Sequence, residues 1–342
     1  MRETIFRHKQ GGIVDLPLLV PSFTSKGFGY FKKNGMTYSE TSSALDEFGR
    51  YLNESYLLST FDVFHGHFME PEQHYGDTSL ILLDSGGYEL NPEFDSTEPK
   101  MTPVRQLDFT AEDYENTLVK LYQEYGDKPF VIANYDWGTK NCSFEEQIKA
   151  ARELFIKFPN WSNNFIIKPH KSGGVKVQVK DLVPYIKKLS CFDIIGVTEK
   201  ELGKNLKDRL TSISQLRSEL DNEGIKSPIH IWGGLDPLIT PLYFFAGADI
   251  FDGVSWLRYL YFEGKAVNRE SYTVLKGNLS ILHDHAVMLS INDNLLSLQG
   301  LATSLRAFAN SDHPDFDMFD GNGEFLKRMY KEMKTIIPGM KG

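Results

Sequence analysis

The chain has 342 residues, of which 41% are apolar and 24% charged, an ordinary globular composition that excludes a disordered chain. A formal net charge of −9 argues against binding nucleic acid through bulk electrostatics, although a local basic patch stays open. Two cysteines exclude a disulfide scaffold and a three- or four-thiolate zinc site, and they point to a reducing, cytoplasmic setting.

From the N-terminus, MRETIFRHKQGG offers no apolar run for a signal peptide, and no later stretch approaches the ~18 apolar residues of a membrane span, so no membrane association is expected. Strand candidates follow at Leu16–Phe23, Leu80–Gly87, Phe130–Asp136, Asn164–His170, Asp193–Glu199, Ile229–Gly234 and Ile250–Trp256. Each is apolar along most of its length and ends in polar or glycine residues, the pattern of a parallel strand buried on both faces. FHGHF places His65 and His67 like alternate residues of a strand, where a structural role is expected over metal ligation. Helical patterns run over Ala111–Tyr125, Lys180–Leu189, Asn205–Leu220 and Leu238–Ala248. Ser143 with Glu146 forms an S-x-x-E capping box that opens another. The stretch from Val254 to Asn292 is less regular, and two final helices are expected over Asn294–Ala309 and Phe325–Ile337. Strands alternating with helices predict a (β/α)8 barrel, with an open doubly wound sheet as the alternative. The expected division is a barrel over residues 1–290 and a helical C-terminal segment over 291–342.

In a barrel, the chemistry sits where strands end and βα loops begin. The strand ends read Asp84, Asp136, His170, Glu199, Gly233 with Gly234, and Asp252. A lone Asp there is as easily a helix N-cap, but Asp84 precedes two glycines and Asp252 lies inside an apolar run. In DSGGY, Gly86 and Gly87 would let the backbone approach a planar ligand, and Tyr88 could stack on it.

These blocks resemble the tRNA-guanine transglycosylases and their relatives that install 7-deazaguanines. LPLLVPSFTSKGF is similar to the family's first-strand block, and LILLDSGGYEL to its DSGG signature. ANYDWG stands where the family has a further aspartate, and IIGVTEKELG where it has a glycine pair. IHIWGGLDPLITPLYFFAGADIFDGVSWLR is similar to the block that carries the nucleophile. The resemblance implies exchange of guanine in a nucleic acid for a 7-deazaguanine such as 7-cyano-7-deazaguanine, a pentosyltransferase reaction with no cofactor. Asp252 would be the nucleophile that forms a covalent glycosyl ester, and Asp84 the general acid/base. Asp136 would read the N1–H and 2-amino edge of the base, since an ionised acid offers only acceptors. Ser85, Gly86, Gly87, Tyr88, His170, Gly196, Gly233 and Gly234 would line the base pocket, with the register at His170 open by a residue or two. Arg258 would lie at the nucleic-acid backbone, where the basic run that starts with Lys168 and Lys171 could join it, and the target nucleotide would be flipped out of its stack.

The departures matter as much. The family's tRNA enzymes carry a C-x-C-x-x-C zinc cluster after the nucleophile, whereas the last cysteine here is Cys191, so no zinc subdomain and no metal are expected. Val197 replaces one glycine of the family's pair, and IIKPHKSGG replaces its V-Q-G-G block. Six lysines between Lys168 and Lys188 face a single acid, Asp181, which reads equally as a phosphate-facing surface or a solvated helix face. Loss of the zinc cluster favours DNA over tRNA as the polymer. The same exchange on tRNA, a catalytically silent partner subunit and a retaining glycosidase are the alternatives, and a homodimer or a partner protein stays open.

Overall fold

Strands apolar on both faces need cover on both, and a closed barrel wrapped in helices supplies it. The computed structural model describes residues 3–76, 78–91, 107–136, 142–170 and 175–340. Eight strands close in chain order: β1 (Leu18–Phe23), β2 (Ser55–Leu58), β3 (Leu80–Leu83), β4 (Phe130–Ala133), β5 (Ser162–Ile167), β6 (Ile194–Thr198), β7 (Ile229–Trp232) and β8 (Ile250–Gly253). All neighbouring pairs are parallel, including the β8–β1 seam, where Asp252 lies opposite Val20.

Alternation along each strand separates two cores. Leu18, Val20, Leu80, Leu82, Val131, Ala133, Ile166, Ile194, Trp232 and Ile250 fill the barrel interior. The other phase, including Leu19, Leu58, Ile81, Ile132, Ile167, Val197, Ile231 and Phe251, meets the surrounding helices. A hairpin of Ile5–Arg7 and Ile13–Asp15 leads into β1 and adds Phe6 and Val14 to the interior cluster. Its His8 ring lies 2.7 Å from the carbonyl of Phe130, the first residue of β4, so the hairpin stoppers the N-terminal end of the barrel. The βα loops gather at the opposite, C-terminal mouth.

Ala111–Tyr125 forms as a helix at the expected bounds, and the Ser143–Glu146 capping box opens the helix Phe144–Phe155. Several expectations shift. SYLL becomes β2 although Ser55 and the tyrosine break its apolar run, and Glu40–Phe48 is a helix capped by Ser39. Pro184 interrupts the helix expected over Lys180–Leu189, giving one α-turn (Val179–Leu182) followed by a 3-10 stretch (Val183–Cys191). FHGHF is no strand: Thr60–Phe64 is a short helix, His65 caps its C-terminus and His67 turns back onto it. Within the irregular stretch, Tyr259–Phe262 and Lys265–Asn268 pair as a hairpin.

The first C-terminal helix starts at His283, ahead of the expected Asn294, and runs to Ala309 across the division expected at residue 290. Its early turns bury Ala286, Ser290 and Ile291, too few apolar residues for the periodicity to announce them. The second spans Gly323–Ile336. Phe308, Phe316, Phe319 and Tyr330 surround Phe245 of the barrel helix Thr240–Ala246, which fastens the C-terminal region to the barrel. No helix among the described residues is long and apolar enough to cross a membrane.

Candidate active site

Interior-facing positions at the C-terminal ends of the strands carry the polar side chains. Asp252 is two residues beyond Ile250 on β8, and Asp84 two beyond Leu82 on β3, so alternation turns both into the same mouth. Both are buried.

Three groups hold Asp252. Ser22 of β1 donates its hydroxyl to Oδ2 at 2.9 Å, and the Gly233 N–H donates to Oδ1 at 3.0 Å. Gly233 reaches that position with φ at 76°, a conformation in which glycine carries no Cβ penalty. His230 of β7 places Nε2 3.0 Å from Oδ1, while its Nδ1 lies 2.7 Å from the Asn164 side-chain nitrogen and Trp232 stacks on its ring. Asn164, His230 and Asp252 therefore form a buried line across β5, β7 and β8 that fixes the carboxylate before any ligand arrives. Gly234 packs behind this turn, where a Cβ would press within 2.6 Å of Ile231.

Asp84 accepts N–H bonds from Thr60 at 2.9 Å and Gly86 at 3.0 Å, both on Oδ1. A proton on this acid therefore belongs on Oδ2. Burial, and next the charge of Glu89, raise its pKa well above the ordinary carboxylate range, although the two N–H donors oppose them.

Asp136, just past β4, accepts the Ser85 hydroxyl and lies 3.1 Å from the Lys168 ammonium. Gly87 is tied to the same group, since a Cβ there would stand 2.5 Å from Asp136 Oδ1. One glycine of the DSGG turn thus answers first to a neighbouring carboxylate. Tyr88 has the Lys26 ammonium 4.4 Å from its ring centroid, so one face of the ring is covered. Lys26 also donates to the carbonyls of Tyr88 and Asn91 at 2.9 Å, pinning the turn. Arg258 joins this assembly, donating to Lys26 O at 2.7 Å and Tyr88 Oη at 3.1 Å, with its guanidinium 5.4 Å from the Phe28 ring centroid.

The remaining expected positions have other partners or lie outside the described residues. Lys168, read as a phosphate contact, is buried between Asp136 and Glu201, whose Oε2 is 2.7 Å from its ammonium. Burial alone pulls the Lys168 pKa down, but the two carboxylates more than offset it and leave the pKa raised. Lys176, Lys187 and Lys188 pair with Asp208, Glu223 and Glu145, so this segment presents less unpaired positive charge than its composition suggests. Lys171 lies outside the described residues. His170 sets its ring 5.4 Å from that of Phe144, the first residue of the helix after β4. Glu199 holds Arg209 at 2.8 Å and accepts the Tyr243 hydroxyl at 2.5 Å.

Gly196 belongs to the barrel interior, where a Cβ would come within 2.6 Å of Asn164 Oδ1 and closer still to Trp232 Nε1. Gly196→Ala is expected to lower stability by about 1–3 kcal/mol through this overpacking. A thermal melt checks it, and an unchanged midpoint would mean that Trp232 moves aside without cost.

Ser22, Asn164, His230, Glu89, Asp62 and Glu201 escaped the sequence reading. A signal existed for two of them: His230 and Asn164 sit in interior phase among apolar residues, where a buried polar group must find a partner.

Among the described residues no group of three or more His, Cys, Asp and Glu side chains could hold a metal ion. No family model and no curated protein matches the chain.

Proposed function

We propose that the chain is a guanine transglycosylase that exchanges guanine in a nucleic acid for a 7-deazaguanine through a covalent Asp252-glycosyl intermediate, with DNA as the favoured polymer. The observation that carries this reading is the pair of differently treated carboxyls in one mouth. Asp252 receives three donors, which suits an ionised nucleophile, whereas Asp84 is pressed toward its protonated form, which suits an acid.

Asp252 attacks the sugar C1′ while Asp84 protonates the departing guanine. The incoming base then gives its proton to Asp84, attacks C1′ and releases Asp252. Asp136, oriented by Ser85 and Lys168, accepts from the base edge. The Tyr88 ring takes the base plane, and Arg258 holds its hydroxyl. The cytoplasm is the compartment that fits, and the polymer is held by a local surface, a second copy or a partner protein.

Labelled guanine and labelled 7-cyano-7-deazaguanine offered with duplex DNA, single-stranded DNA and tRNA test the reading. Label is expected to enter DNA. Entry into tRNA alone overturns the DNA preference, and entry into none overturns the activity, leaving a silent subunit.

A further inference from the structure

We infer that Glu89 is a second ionisable group of the acid–base centre, sharing one proton with Asp84 in the resting protein and holding that proton on Asp84 when Glu89 itself ionises. Glu89 is here a positioning residue, and its catalytic meaning rests on the function proposed above.

The geometry is a cluster of three buried carboxyls with one imidazole. Asp62 is fully buried, places Oδ1 2.7 Å from His67 Nδ1 and accepts the Ser25 N–H on Oδ2 at 2.6 Å. It is thus the best-matched place for a negative charge. Asp62 lies on the helix Thr60–Phe64, whose Thr60 N–H bonds Asp84. Glu89 lies on the single turn Gly87–Leu90 that leaves the DSGG loop, 5% exposed, with Oε1 accepting the Thr24 hydroxyl. Its Oε2 is buried without a hydrogen-bond partner.

The groups facing Glu89 are Asp84 at the end of β3, Asp62 backed by His67 on the short helix, and Thr24 and Ser59 from the strand ends. Lys26 is held on the flanking carbonyls of Tyr88 and Asn91. Tyr114 approaches from the helix Ala111–Tyr125, its hydroxyl bonded 2.6 Å from Ala133 O. One imidazole cannot neutralise three carboxylates in a water-poor site, so a proton must stay on the other two. Burial, and next the Asp62 charge, push the Glu89 pKa up to about 7, and the Glu89 charge in turn raises that of Asp84. On this proposal the two carboxyls titrate as a pair, each reading the charge of the other.

The test follows the carboxyl resonances of the free protein, labelled with 13C at Asp and Glu side chains, across pH. Glu89→Gln keeps an acceptor for Thr24 and is expected to lower the Asp84 midpoint by about one pH unit or more. Asp84→Asn is expected to lower the Glu89 midpoint by a similar amount, because coupling is reciprocal. Either variant alone decides the question if the other fails to fold. A midpoint that stays put when its partner is removed overturns the proposal. Both titrations are read without substrate, so reciprocal shifts in a protein that incorporates no base would uphold the pair while removing the transglycosylase reading.

Discussion

Asp252→Asn is expected to abolish base exchange, by on the order of 10^4-fold or more, together with any denaturation-resistant adduct to nucleic acid. The substitution suits this site because it is nearly isosteric. An amide oxygen can still accept from Ser22 or from the Gly233 N–H, both of which now donate to Asp252. What it lacks is a carboxylate oxygen able to attack C1′ and later leave. Asp252→Ala removes the acceptors as well and strands the Gly233 N–H and the buried His230, at about 1–3 kcal/mol for each unmet group. The two variants therefore separate chemistry from structure: both lose the adduct, and the alanine also loses stability. Gel separation under denaturing conditions with a labelled oligonucleotide reads the first effect, and thermal unfolding reads the second. An adduct that survives in Asp252→Asn would remove Asp252 from the nucleophile's place.

Much of the scaffold that positions Asp252 was legible in the sequence, for a definite reason. Strands covered on both faces must be apolar nearly throughout, so LILL and FVIA stand out from flanking polar residues. SYLL did not, because four residues with a serine and a tyrosine carry too little contrast, although burial of the whole strand made it β2. ETSSALDEF was hidden by its Ser/Thr-rich start, which resembles a loop until Ser39 caps it.

The candidate site was half legible. Asp84 and Asp252 announce themselves at strand ends, but their supporting groups come from other strands and loops. Ser22 meets Asp252 only because the barrel closes β8 against β1. Glu89 and Asp62 are close in space but belong to separate short helices, and neither helix has a periodicity to read. Lys168 shows the opposite failure. Five further lysines within 21 residues suggested a phosphate-facing surface or a solvated face, whereas its place two positions beyond Ile166 turns it toward the mouth.

Lys168→Met is expected to cost about 3–5 kcal/mol of stability at neutral pH, because it leaves Asp136 and Glu201 facing one another without their common cation. The side chains of all three are 14% exposed or less, so water cannot replace the ammonium cheaply. Methionine keeps most of the apolar stem, which confines the change to charge. Glu201 already has its pKa raised by burial, with Lys168 opposing that rise. Without the lysine the rise is larger, so the folded variant binds more protons than its unfolded chain at intermediate pH. Its deficit relative to the parent should therefore shrink as pH falls and the carboxyls protonate. Urea unfolding at pH 7 and pH 5 separates this from a phosphate contact. Loss of a phosphate-binding lysine would leave both urea transitions unchanged and lower the salt slope of nucleic-acid binding by about 1. That result would return Lys168 to the polymer. Adding Glu201→Gln to Lys168→Met removes one of the two stranded charges and is expected to restore part of the loss, a coupling that the double-mutant cycle measures directly.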